Sequence, residues 1–212
     1  MTQIILDIST SLDGFVAGPN PTLEDPLGQH GMQLHEWIFG LASWRSRHGQ
    51  EGGVHDADDA LVERGLATLG AVVMGRKMFS GGSGPWEDDP NAEGWWGDEP
   101  PFGVPVFVVT HHEREPKEYS NGTVFTFVTD GIESAVEQAR AAAAGKDVRI
   151  SGGASVATQA LRAGLLDRLD LHLAPVLLGG GTRLFEDVDL TQFELVETPA
   201  SPNVTHVTYV VT

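Results

Sequence analysis

Hydrophobic positions in this chain follow two periods in alternation. Residues 3–9 (QIILDIS) are nearly continuous in apolar character, which predicts a buried strand. The stretch SLDGFVAGPNP then interrupts regular structure with Gly and Pro. From 19 to 55 no period is sustained, and a short helix is expected around Leu34–Leu41. Asp56 reads as an N-cap, with Leu61, Val62, Leu66 and Leu69 along one helix face that ends near Gly70. Short apolar runs at 71–75, 105–110 and 123–129 predict strands. Asp130 and Glu133 have the spacing of a capping box, and Ile132, Ala135, Val136, Ala139 and Ala143 give the following helix one apolar side, closed by Gly145. A strand at 147–151 leads into a glycine-opened helix at 152–164. RLDLHLAPVLL (168–178) reads as a strand. FELVETPA (193–200) and VTHVTYVVT (204–212) read as a closing antiparallel pair, with Pro202-Asn203 at the turn.

Strands and helices therefore alternate through the middle, and β structure closes the chain. That is the pattern of an α/β fold with a largely parallel sheet and an antiparallel edge. Neither a repeat nor a linker interrupts it, so residues 1–212 are expected to form one domain. The segment 80–103 stands apart. It carries Trp86, Trp95 and Trp96 and six acidic residues, and no Lys or Arg falls between Lys77 and Arg114. An ordered surface loop is expected there.

Composition narrows the functional classes. The chain has no cysteine, which excludes disulfides, thiolate zinc sites and cysteine nucleophiles. With 13 basic and 30 acidic residues the net charge is −17, a field that opposes nucleic acid and anionic membranes. The partner expected is a small-molecule substrate. No export signal or membrane span is expected, and the cytoplasm is the expected location. Any anionic ligand must be met by locally placed Arg, Lys or backbone N–H groups.

Several such groups sit at predicted strand ends. Ser151-Gly152-Gly153-Ala154-Ser155 follows one strand and opens a helix, where free N–H groups attract phosphate. Gly75-Arg76-Lys77 follows another and is the only adjacent basic pair. Thr110, His111 and Arg114 follow a third. Each also suits a plain turn or solvated loop, but three on neighbouring strands would converge on one sheet edge. Asp13, after the first strand, is a candidate carboxylate, although Asp-Gly is also an ordinary turn. Glu36, in LHEWIF, is a second; it also suits a solvated helix face. His30, His35, His48 and His55 match no zinc spacing, so no metal is expected. Three consecutive glycines at 179–181 imply that something requires an open backbone there.

SLDGFVAGP, MGRKMF, SGGAS and LAPVLLGGGTRLF, in that order, resemble the dihydrofolate-reductase-like family. The resemblance is nearer still to the reductase domain of bacterial riboflavin biosynthesis and its stand-alone relatives. It spans nearly the whole chain and is weakest over 80–103. It implies a mostly parallel sheet flanked by helices, an antiparallel C-terminal hairpin, NADPH as cofactor, and hydride transfer to a riboflavin-precursor or pterin-like molecule. Residue by residue, it places Ala17 and Gly18 beside the nicotinamide and Gly75, Arg76 and Lys77 on the phosphates. Thr110, His111 and Arg114 fall on the adenosine side. Gly152, Gly153, Ala154, Ser155 and Val156 wrap the pyrophosphate, and Gly152–Gly153 is a candidate for a cis peptide. Asp13 falls at the substrate end, with Trp37 and Trp86 as walls and Arg183 as a second basic site. Met78 stands where the family usually has Thr or Ser. The riboflavin enzyme's deaminase half, whose zinc signature needs cysteines, is not represented. A homodimer is a further implication, with the C-terminal strand 204–212 as its exposed apolar candidate. Two other classes remain beside the reductase: a binding protein that keeps the fold without turnover, and a non-redox or metal protein using the histidines.

Overall fold

The computed structural model describes residues 2–212. Its core is a nine-stranded sheet. In chain order the elements begin with β1 (Ile4–Ser11), β2 (Phe15–Ala17), a 3-10 turn (Gly31–Leu34), α1 (Glu36–Phe39), α2 (Ala42–Arg47) and α3 (Ala57–Thr68). Then come β3 (Leu69–Gly75), α4 (Arg76–Ser80), β4 (Pro105–Val109), β5 (Lys117–Glu118), β6 (Val124–Val128) and α5 (Gly131–Ala142). The chain closes with β7 (Asp147–Ile150), α6 (Ala154–Arg162), β8 (Arg168–Ala174), β9 (Thr182–Arg183), β10 (Phe193–Glu197) and β11 (Thr205–Val211).

The order across the sheet is β10-β11-β8-β1-β7-β3-β4-β6-β5. The six strands from β8 to β6 are parallel, while β11 runs against β8 and β10 against β11. The expected α/β architecture with a C-terminal antiparallel pair is therefore present. Every residue of β3 is buried, as a central strand covered on both faces requires.

The two faces of the sheet differ in chemistry. One packs Ile4, Leu6, Val73, Val148 and Ile150 against the apolar sides of α5 and α6. The other is divided. Over β3, β4 and β6 it is apolar, with Val72, Met74, Val106, Val108, Phe125 and Phe127 gathered around the fully buried Phe79. Over β1, β8 and β11 the same face carries Asp7 and Ser9, Asp170 and His172, and His206 and Thr208, in lateral register.

Local departures from the sequence reading have identifiable causes. The Asp56 cap forms, its carboxylate accepting the amides of Asp58 and Asp59 at 3.0 Å. Yet α3 buries Asp58 and Asp59, while Leu61, Val62 and Leu66 stay half-buried, because the sheet half beneath it is polar. Asp130 makes no side-chain cap; its ψ of 12° turns the carboxylate away from the amides it would have to reach. The helix expected over 34–41 breaks into the 3-10 turn and α1, with His30 at φ 63°. β8 stops at Ala174, and Pro175 starts an excursion. That excursion returns as β9, which pairs with β2; the sequence showed neither strand. β11 is an interior strand, so the exposed apolar edge belongs to β10, through Leu195 and Val196, rather than to 204–212.

The triple glycine follows from the β2–β9 contact. Gly181 has φ 124°, and a Cβ on it would lie 2.0 Å from the Ala17 carbonyl oxygen. A Cβ on Gly180 would meet open space. Gly181→Ala should therefore cost about 2 kcal/mol or more, by strain plus overpacking. Gly180→Ala should cost less than about 1 kcal/mol. Urea unfolding of the two variants measures the difference, and equal midpoints would contradict the assignment.

Candidate functional site

Four neighbouring parallel strands, β1, β7, β3 and β4, end side by side, and their carboxyl ends carry most of the candidate residues. The turns after β3 and β7 are tied together, since the Gly75 amide donates to the Gly152 carbonyl at 3.0 Å. The Gly152–Gly153 peptide is cis. A Cβ on Gly153 would meet nothing within 4 Å, so the turn opens onto free space. α6 starts there without a side-chain cap, and Ser155 bonds within the helix to Gln159 at 3.0 Å. The amides of its first turn are thus left for an acceptor from outside the helix.

Arg76 lies on the adjacent turn. It is 6% exposed, stacks 3.5 Å from the Trp86 ring centre and has Nη1 2.5 Å from Asp89 Oδ2. None of its three guanidinium nitrogens makes a well-directed hydrogen bond, so this charge contact leaves buried donors unmet. Burial lowers its pKa and Asp89 opposes that shift. Lys77 is exposed beside it. Thr110 is buried and structural: its amide donates to Val128 at 3.0 Å, and its hydroxyl accepts the His112 amide at 3.2 Å. His111 is exposed at the same edge.

The acid-rich segment 80–103 is ordered, and basic residues hold it. Glu93 pairs with Arg114 at 2.5 Å and also with Lys117. Trp86 lies against both Arg76 and Arg114, and donates its indole N–H to the His112 carbonyl at 3.0 Å. Trp95 donates to Met78 at 2.7 Å. Trp86 therefore packs within this segment, and Arg114 anchors it through Glu93.

Asp13 is held by its own turn and by the 175–181 excursion. One carboxylate oxygen accepts from the Ser11 hydroxyl at 2.6 Å and the Leu178 amide at 3.1 Å, and the other accepts from the Gly179 amide at 2.7 Å. The Ser11 bond leads in holding its pKa below the ordinary value. This carboxylate anchors the 175–181 excursion. Arg183 is exposed, lies over Phe15 and donates to the Asp13 carbonyl at 3.2 Å. Ala17 ends β2, and Gly18 donates to Leu27 at 2.7 Å inside a self-bonded loop.

Glu36 is exposed, and no side-chain bond to it occurs among the described residues. Its neighbour Trp37 turns inward, donating to the Ser9 hydroxyl at 3.1 Å and lying 4.9 and 5.1 Å from the rings of His172 and His206. Those two histidines, with Asp7 and Asp58, were not singled out from the sequence. The alternation in LDIS, LDLHLA and THVTY was the available signal. His55, Asp59 and Glu63 come within 4.8 Å of one another, but Asp59 is already engaged by the Ser43 amide and His55. A groove of about 800 Å³ between α2 and α3 contains none of the candidate cofactor residues.

A model of the RibD C-terminal domain matches residues 2–207, and the chain belongs to that family. It is 27% identical over 194 residues to the uncharacterized protein YyaP of Bacillus subtilis (strain 168), covering 88% of this chain and 81% of that one. RibD of Acinetobacter baumannii superposes on the whole chain with a TM-score of 0.60 at 17% identity. A Thermotoga maritima diaminohydroxyphosphoribosylaminopyrimidine deaminase/5-amino-6-(5-phosphoribosylamino)uracil reductase does so with 0.58 at 15%. This chain spans 58% and 57% of those two proteins. The fold is that of the RibD reductase domains. Among the described residues no helix is long and apolar enough to cross a membrane.

The acidic segment gives this edge a pH dependence. Burial would raise the Asp89 pKa, but hydrogen bonds from Ser80 and Asn91 and the Arg76 charge hold it below the ordinary value. Lys117 and Arg114 do the same for Glu93. A depressed folded-state pKa means that the stabilisation is complete above the unfolded value and is lost as pH falls through the folded one. Tryptophan emission should therefore change on acidification below about pH 4, ahead of the far-UV signal of the sheet. Coincident transitions would contradict this.

Proposed function

We propose that this protein is an NADPH-dependent reductase that transfers hydride to a C=O or C=N carbon of a small heterocyclic or sugar-amine substrate. Membership of the RibD C-terminal domain family supports the reductase class. The observation that carries the cofactor reading is the uncapped start of α6, whose turn is tied by the Gly75–Gly152 hydrogen bond to the turn leading into Arg76, a buried guanidinium with unmet donors. A cation with unmet N–H groups suits a phosphate dianion, and a Cβ on Gly153 would meet nothing within 4 Å, so the tied turn is open to one.

When bound, a reduced nicotinamide supplies the hydride. The chain does the rest. The amides of Ala154, Ser155 and Val156 receive a pyrophosphate at the start of α6. Arg76 offers Nε and Nη2 to a further phosphate while Asp89 and Trp86 hold it in place. Lys77 and His111 stand at the rim. Asp13 keeps the 178–179 backbone in position from the other side of β1, and Arg183 is the exposed cation nearest that turn.

Titration with NADPH and NADH, followed by tryptophan quenching, tests the reading. The native protein should prefer NADPH. Arg76→Ala should weaken NADPH by roughly 10- to 100-fold, the loss of a charged hydrogen-bonding partner, and leave NADH nearly unchanged. Equal losses for both cofactors would remove Arg76 from the phosphate site. Binding of neither would overturn the reductase reading.

A further inference from the structure

One buried cluster has no part in the function so far described. His172 Nδ1 and His206 Nδ1 are 2.7 Å apart. The outer nitrogen of each ring faces a carboxylate: His172 Nε2 lies 3.1 Å from Asp7 Oδ1, and His206 Nε2 lies 3.2 Å from Asp58 Oδ1. The rings are 5% and 2% exposed, and Asp58 is fully buried. Arg149 Nε is 3.3 Å from the other oxygen of Asp7, and Asn203 is 3.4 Å from the other oxygen of Asp58. Trp37 covers both rings.

The proton count follows from these contacts. Each outer nitrogen must carry a hydrogen to satisfy its carboxylate. Two bare Nδ1 lone pairs at 2.7 Å would repel, so one further proton lies between them. The two rings then hold three protons and one positive charge. With Arg149 that makes two cations against Asp7 and Asp58, a neutral buried set. The surroundings agree. Burial would raise the Asp7 pKa, but Arg149 and His172 keep it well below the ordinary range. Burial and the charge of His172 lower that of His206, so a second imidazolium is disfavoured. His35, also facing His172, is held neutral by burial, its pKa lowered to about 4. Arg47 faces Arg149, and Arg168 pairs with Asp170 at 2.8 Å next to Thr208.

The chain has one open end. Asp7 and Arg149 are about a quarter exposed, whereas the Asp58 end is sealed by α3. We propose that Asp7, His172, His206 and Asp58 form a shared-proton chain that opens at Asp7 and delivers the proton accompanying hydride transfer. This rests on the reductase reading. As hydride adds to the carbon, the C=O or C=N electron pair moves to oxygen or nitrogen, which takes a proton relayed through Asp7. His172 Nε2 supplies that proton to the ionised Asp7, which passes it on and is left ionised, and the shared proton settles on His172 Nδ1. His206 becomes the acceptor of the inner bond. The ring pair passes from positive to neutral, and water at the Asp7 end restores the lost proton. The chain acts through position: Asp7, its part-exposed member, lies one residue past the Leu6–Ile150 pair, level with the end of β7.

Two measurements test this. In the native protein, imidazole nitrogen NMR should show one proton shared by the two Nδ1 atoms and retained across neutral pH. Two rings titrating independently near the ordinary value would overturn the chain. Turnover of NADPH with a pterin and pyrimidine-amine panel should fall at least 10-fold in His206→Gln, which lies away from the open end. Its NADPH Kd should be unchanged, and the kcat pH profile should move. Native turnover and profile in that variant, with the fold verified by NADPH binding, would overturn the proposal while leaving the reductase reading standing. A native protein that binds neither cofactor would overturn the reductase reading instead, and with it delivery to a substrate; the NMR result would still decide whether the shared proton exists.

Discussion

Scarcity of positive charge organises this molecule. Thirteen Lys and Arg residues face thirty Asp and Glu, so each inward-facing cation fixes a segment of chain. Arg76 and Arg114 flank Trp86 and draw the acidic 86–93 stretch onto the sheet. Arg149 neutralises Asp7 in the middle of the opposite half. Arg47 donates to the Pro101 and Phe102 carbonyls and so joins α2 to the end of the inserted segment. These contacts are mostly half-buried and matter through geometry more than through Coulomb energy in water. Arg76 differs in keeping donors in reserve.

The same economy of charge divides the second face of the sheet. Over β3, β4 and β6 the acidic insertion brings its tryptophans and Phe102 to an aromatic core around Phe79 and Phe125. Over β1, β8 and β11 the covering segment brings Trp37 and the buried carboxylate of Asp58 to a polar floor. The dividing line runs beside β7, whose end carries the cis glycine turn. The glycine turn thus stands at the carboxyl end of a strand, the place where open α/β sheets bind ligands, between the apolar and the polar half of that face.

Much of this was legible in the sequence, for reasons that differ by element. β3, α5 and α6 are strongly patterned, and their periods were enough. The strand-end motifs were legible because glycines and a lone basic pair mark them in an acidic chain. The polar chain through His172 was missed because alternating Asp, His and Thr on a strand reads as a solvated face until a covering helix is known. Asp58 and Asp59 were hidden in the same way on α3, where charged positions read as the outer side. Glu36 and Trp37 were both candidates, and in the fold they part: the carboxylate faces solvent, while the indole faces the polar chain. The pairing of β2 with β9 joins short strands far apart in sequence, a contact that no local pattern encodes.

We propose that the unmet donors of Arg76 receive the 2′-phosphate of NADPH. Phosphorus NMR of NADPH bound to the native protein tests it most directly, because the 2′-phosphate and the pyrophosphate give separate signals. The account predicts that both shift on binding, and that the 2′-phosphate shift disappears in Arg76→Lys, whose ammonium cannot reproduce the planar donor set. A pyrophosphate that shifts while the 2′-phosphate keeps its free-solution position would contradict it, and would leave Arg76 as the anchor of the acidic segment alone.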